Sequence, residues 1–260
     1  MKLSLTHTLR YSLGTSLRAV EHLLLTPVST PQQKIESWSI TGPGLDGAAT
    51  FRDAYGNRAH LVTLVKPEAE IEITIMGRVE TFDKAGVLGR LDYDPSPALF
   101  RRRTTEAEFD AALLEGLATE NGRVALLHEL MDRVYHTSHQ STQSQSQDGT
   151  MQTQSSASNV ANKTHAFIGA ARAFDIPARY VSGYVLDDGD ARVHAWAEAW
   201  DEGLGWIAFD PVLNFCPAAS HIRVASGLDA SSTPPIRSVP APTGAVTETL
   251  VIDADQEPST

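Results

Sequence analysis

Residues 192–200 read RVHAWAEAW and residues 205–211 read GWIAFDP, with only DEGL between them. Both runs are rich in aromatic and apolar residues, and a short glycine-containing connection joins them, which predicts an antiparallel hairpin. If the turn centres near Glu202, His194 lies directly opposite Asp210 and both side chains leave the same face. A carboxylate against an imidazole fixes its tautomer and raises its basicity, which is the base and orienter half of a catalytic triad. The pairing is also compatible with a satisfied polar contact, the commoner outcome for such spacing alone, and a turn shifted by one or two residues breaks the direct opposition. Glu198 alternates onto the His194 face and reads as a solvated carboxylate. Trp196, Trp200 and Trp206 read as core or cleft wall.

Working outward, KTHAFIGAARAF (163–174) is apolar around most of its helical circumference and predicts a buried helix, with Ser158 or Asn159 as its cap. Asp175-Ile176-Pro177 ends it, and ARYVSGYVL (178–186) follows as a strand. Upstream, from Thr137 to Ser158, 17 of 22 residues are Ser, Thr or Gln, which predicts a loop with almost no apolar surface to bury. Before that, one helix is expected from Thr104 or Thr105 to Leu117. A second is expected over about 121–135, with Leu127, Leu130, Met131 and Val134 as its apolar stripe. The first hundred residues alternate in period two over 3–13, 19–29, 34–42, 59–67 and 70–83 and predict antiparallel sheet. Beyond Pro234, a proline-rich tail carries a short alternating strand at about 246–253. The fold class is therefore α+β: a β-rich region over 1–97, a core over 98–232 containing the 137–158 loop, and a tail over 233–260.

The chain has 260 residues, 42% of them hydrophobic and 20% charged, with a formal net charge of −11. That composition suits a globular protein and argues against nucleic acid or an anionic membrane as partner. No apolar run approaches the roughly 18 residues of a membrane-spanning helix, no secretory signal pattern opens the chain, and a cytoplasmic setting is the expectation. The single cysteine, Cys216, excludes an internal disulfide and any multi-cysteine metal cluster. No metal-ligand spacing stands out among the nine histidines, and no cofactor is expected.

HAFIGAARAFDIPARYVSGYV, HAWAEAW and GLGWIAFDP together resemble the core of the bacterial transglutaminase-like family. LTHTLRY, FRDAYGNR and EIEITIMGRVET resemble the same family's N-terminal region, and the likeness continues through CPAASHIRVASGLD and PPIRSV. The resemblance implies a papain-like fold, a buried helix on an antiparallel sheet, with a Cys-His-Asp acyl-transfer site. In the family a cysteine opens the buried helix, where the positive end of the helix dipole favours thiolate. His194 matches the family's histidine and Asp210 its aspartate. Counting back from His165, the cysteine position falls on Val160, followed by Ala161, Asn162 and Lys163 where the family favours Gln, Asp and an aromatic or His. His165, Trp196 and Trp206 are candidate cleft residues. A substitute nucleophile would have to be Ser156 or Ser158 after a slip of the helix start, or Cys216, whose proline-flanked context suggests packing. The resemblance implies a catalytically impaired or inactive member that binds a peptide or protein in its cleft. The alternative is residual amidase, peptidase or acyl-transfer chemistry by another nucleophile or a His194-activated water.

Overall fold

The computed structural model describes residues 1–117, 120–142 and 152–254. Its strands are β1 (Lys2–Ser12), β2 (Arg18–Thr26), β3 (Gln33–Thr41), β4 (Ala49–Arg52), β5 (Arg58–Val65), β6 (Glu70–Thr81), β7 (Val87–Gly89), β8 (Ala178–Asp187), β9 (Asp190–Asp201), β10 (Gly205–Phe209), β11 (His221–Gly227), β12 (Ile236–Val239) and β13 (Thr243–Ala254). Its α-helices are α1 (Arg123–Thr142) and α2 (Gln152–Ala173). Two four-stranded sheets, ordered β13-β1-β6-β3 and β12-β2-β5-β4, form the N-terminal unit, and a five-stranded sheet ordered β11-β8-β9-β10-β7 forms the core. The alternation in β1 and β6 buries Leu3, Leu5 and Leu9 with Ile71, Ile73 and Ile75.

α1 and α2 cover one face of the core sheet. Leu127, Leu130, Met131 and Val134 pack with Phe167 and Ile168 against Ala195, Ala197 and Ala199 of β9. The alanines on alternate positions of β9 let the helix approach closely. The intervening Trp196 and Trp200 enter a separate cluster with Trp206, Phe100 and Val181.

Three expectations give way to tertiary packing. Residues 104–117 form no α-helix; a single 3-10 turn spans Ala111–Leu114. This arm instead lies along α2, where a Cβ on Gly169 would sit 2.3 Å from the Ala107 carbonyl oxygen, and contact with α2 overrides local propensity. The Ser/Thr/Gln-rich stretch is helical at both flanks: α1 runs through Thr142 and α2 begins at Gln152, while 143–151 lie outside the described residues. Once the packed segments nucleate helix, neutral Ser and Gln residues extend it at little cost. Neither Ser158 nor Asn159 therefore caps α2.

The three-part division is redrawn by strand pairing. β12 pairs with β2 and β13 with β1, so the tail completes both N-terminal sheets, while β7, before the expected boundary, pairs with β10 in the core. Each pairing satisfies a strand edge that would otherwise expose unpaired backbone groups.

Candidate functional site

The hairpin forms, but two residues out of the expected register. Trp206 pairs with Trp200 and Ala208 with Glu198, and the ladder ends at Phe209 opposite Ala197. His194 and Asp210 are thus diagonal rather than directly opposed, and Nε2 of His194 still reaches Oδ2 of Asp210 at 2.6 Å. Diagonal neighbours on one face are within reach of long side chains, so the shift by two preserves the contact. The bend after Phe209 helps: Asp210 Oδ1 accepts from the backbone N–H groups of Val212 and Leu213, which aims Oδ2 inward.

Sequence patterning gave no role to a third member. His221, at the start of β11, places Nε2 3.2 Å from the same Oδ2, and the Ser220 hydroxyl donates to its Nδ1 at 3.0 Å. All three side chains are buried. Burial alone would raise the Asp210 carboxyl, but hydrogen bonds and charge from His194 and His221 overcome it and hold it well below the usual carboxylate range. Burial pushes the His221 imidazole down despite Asp210. An ionised Asp210 can only accept, so Nε2 of His194 donates to it, and in the neutral imidazole Nδ1 is then the lone-pair nitrogen. That Nδ1 is buried and has no hydrogen-bond partner among the described residues.

The ligand atoms of His194, Asp210 and His221 lie within 4.8 Å of one another, a donor set compatible with a metal ion. Asp210 Oδ2 already accepts from both rings, so the trio is complete as a hydrogen-bonded unit. Gly183 faces His194 across β8–β9, and a Cβ there would lie 2.1 Å from the Ile222 carbonyl oxygen, so only glycine lets β8 and β11 close around the trio. Trp196 walls it, edge-on to His221 at 5.2 Å between ring centroids.

Other candidates lie elsewhere. His165 accepts from the Ala230 N–H at 3.0 Å and packs on Tyr180, a satisfied core histidine away from the trio. Trp206 is enclosed by Phe100, Trp200 and the Arg179 guanidinium, 3.9 Å from its ring, and forms core rather than cleft. Glu198 is fully buried, not solvated: Arg223 and Arg179 both bond its carboxylate, and Arg179 also bonds Asp94 at 2.8 Å. Cys216 Sγ sits 3.5 Å from His128 Nε2, and burial raises its thiol, so it is no poised thiolate. Ser158 is exposed on α2, and the Ser156 side chain lies outside those described.

Val160 is half-buried on α2. The Thr164 hydroxyl lies 2.9 Å from the Val160 carbonyl oxygen and 3.4 Å from that of Ala195, which sets this turn of α2 beside the residue after His194. Lys163 is buried, donates to the Tyr135 carbonyl oxygen at 3.3 Å and lies over the Tyr135 ring. Burial lowers its amine, with Asp210 opposing.

A buried helix against an antiparallel sheet, with an imidazole–carboxylate pair at a strand end, defines a papain-like α+β protein. Residues 108–211 match the family model of the Transglutaminase-like superfamily, and residues 3–80 match that of the Bacterial transglutaminase-like N-terminal region. The chain belongs to the bacterial transglutaminase-like family and carries both its N-terminal region and its core. Across 99% of this chain and 93% of its own, a solved structure from Cytophaga hutchinsonii named "Putative Cysteine Protease" shares the fold, with 20% identity and a TM-score of 0.64. The periplasmic domain of TgpA from Pseudomonas aeruginosa, bound to ethylmercury, matches at 16% identity and a TM-score of 0.34, over 80% of this chain and 90% of that one. A Mycobacterium leprae (strain TN) protein described as uncharacterized is 32% identical over 90 residues, and the match spans 32% of each chain.

Proposed function

We propose that this protein is a transglutaminase-like binding protein in which the acyl-transfer centre keeps its base and orienter and lacks its nucleophile. The carrying observation is His194: its Nε2 is locked to Asp210, and its Nδ1 lone pair is buried with no partner. In the family that lone pair serves a thiol; here the matching position is Val160, which has no ionisable group. A second feature supports the same reading. α2 begins at Gln152, two turns before Val160, so the Val160 N–H lies inside the helical ladder. It is not free to stabilise an oxyanion as a helix-opening N–H would be. On this reading the cleft holds a polypeptide without turning it over.

The test is Val160→Cys assayed beside wild type for amine incorporation and for amide hydrolysis. The expected result is no wild-type turnover, and a new thiol whose alkylation by iodoacetamide slows when His194→Gln is added. Wild-type amide turnover abolished by His194→Ala would overturn the proposal. The free Nδ1 also favours a second, weaker chemistry in which His194 activates water. It predicts wild-type hydrolysis of an activated ester such as p-nitrophenyl acetate, lost in His194→Gln, with a contribution of about a hundredfold from the positioned base.

A further inference from the structure

The N-terminal unit carries a cleft of about 560 Å³, bounded by β3 on one side and by β4, β5 and the Thr26–Ser29 segment on the other. That volume falls within the range of ligand sites, about 300–1,000 Å³. Its floor is apolar: Ile35, Trp38, Ile40 and Leu45 are partly buried against the sandwich core. The indole N–H of Trp38 is already committed to the Leu25 carbonyl oxygen, so the ring serves as a surface rather than a donor.

One wall is positively charged in an unusual way. Arg52 and Arg58 are direct cross-strand partners on β4 and β5, and both line the cleft. Like charges directly opposite one another destabilise a sheet. Neither guanidinium has a carboxylate within ion-pair distance among the described residues, although the whole chain carries a net charge of −11. Arg52 is held in place, donating to the Gly56 carbonyl oxygen at 2.8 Å and lying 4.4 Å from the centre of the Tyr93 ring. Burial and Arg58 push the His60 imidazole down, so the positive charge of this wall rests on the two arginines. Of the two lining carboxylates, Glu36 is paired with Lys2 at 3.5 Å and Asp46 is exposed. The opposed arginine pair is the arrangement expected of a site completed by an anion from outside.

The cleft runs beside β3, which ends its sheet; Thr30 and the Ser29 hydroxyl already engage Gln33 and Ile35 on its outer side, and beyond Ile35 that edge pairs with no strand among the described residues. An extended peptide can add there, its main chain meeting the edge, with side chains of one parity turned onto the apolar floor and those of the other parity toward the β4–β5 wall. From the opposed arginines, the apolar floor and this free edge, we infer that the cleft binds an extended peptide segment in which acidic and apolar residues alternate. Carboxylates meet Arg52 and Arg58, and apolar side chains meet Trp38, Ile40 and Leu45. The site is separate from the His194 trio, so Val160→Cys leaves binding unchanged.

Trp38 makes the test selective. Of the four tryptophans, Trp196, Trp200 and Trp206 are 2%, 6% and 0% exposed, so acrylamide quenching of the intact chain reads Trp38 first. The peptide Ac-Leu-Glu-Leu-Glu-NH2 should shield Trp38 at concentrations at least about tenfold lower than Ac-Leu-Gln-Leu-Gln-NH2, the scale of one charge-assisted contact. Arg52→Gln and Arg58→Gln should each abolish that preference, and Arg58→Gln, which relieves the opposed pair without removing the Gly56 and Tyr93 contacts of Arg52, should leave the melting temperature unchanged or higher. Several outcomes overturn the proposal: equal shielding by both peptides, no shielding by either, or an unaltered preference in the arginine variants. So do a lowered melting temperature in Arg58→Gln, which makes that guanidinium structural, and equal shielding by glutarate or by an eight-nucleotide oligothymidine, which removes the peptide.

Discussion

Asp210 concentrates most of the site's energetics in one side chain. Its carboxylate is buried, accepts from two imidazoles through Oδ2 and from two backbone N–H groups through Oδ1. Asp210→Ala leaves four donors without their acceptor, two of them on buried imidazoles, and should cost about 3–5 kcal/mol, read as a lower urea midpoint, as for removal of one partner of a buried pair. Asp210→Asn, which keeps the shape but not the charge, should cost less. Acid sensitivity follows from the shifts. A group depressed in the fold stabilises above its unfolded pKa, and that stabilisation is lost as the pH falls. For His221 the loss begins below about 6.5, and for Asp210 below about 3.9. Thermal melts should therefore be level from pH 7 to 8, fall below about 6.5 and fall further below about 4. His221→Gln should make the first decline shallower without removing it, because burial also depresses His22, His60 and His165.

At the scale of elements, β8, β9 and β11 must approach closely for the trio to form. Gly183→Ala drives a methyl group into the Ile222 carbonyl and against Trp196, so β8 and β11 must part. The expected cost is about 1–3 kcal/mol of stability, as for overpacking, together with slower alkylation of a Cys introduced at Val160. β13 is the other telling element. It is exposed along most of its length, yet it covers the outer edge of β1 and buries Ile252. A chain ending at residue 242 should melt earlier and elute as higher-order species in size-exclusion chromatography, because the β1 edge becomes a template for intermolecular pairing.

Across the whole molecule, two buried side-chain amides join the N-terminal sandwich to the core. Gln33 donates to the Arg223 carbonyl oxygen at 2.9 Å and accepts from the Arg223 N–H at 2.8 Å; Asn57 does the same for Ser226, at 2.8 Å in each direction. Each amide mimics one rung of a sheet ladder along β11. Gln33→Ala strands a buried donor and a buried acceptor, about 1–3 kcal/mol apiece. If the two units fold as one, it should lower a single cooperative transition; two separate transitions would show that they unfold independently.

The sequence was sufficient for the strands of the N-terminal half and for the apolar stripe of α1. Their period is local, and tertiary structure only selects which face is buried. The same holds for the meeting of His194 and Asp210, because strand alternation keeps both on one face through a shift of two. Chain-distant geometry decided the rest. His221 joins Asp210 from another strand, with no motif spacing to announce it. Glu198 is a carboxylate whose burial is tolerable only because Arg179 and Arg223 arrive from β8 and β11. The extension of α2 past Val160 depends on helix propagating from a packed segment into one with no pattern of its own. The opposition of Arg52 and Arg58 depends on the register of a short hairpin. Residue type and period fix what an element can bury; only the fold determines which charges that burial brings together.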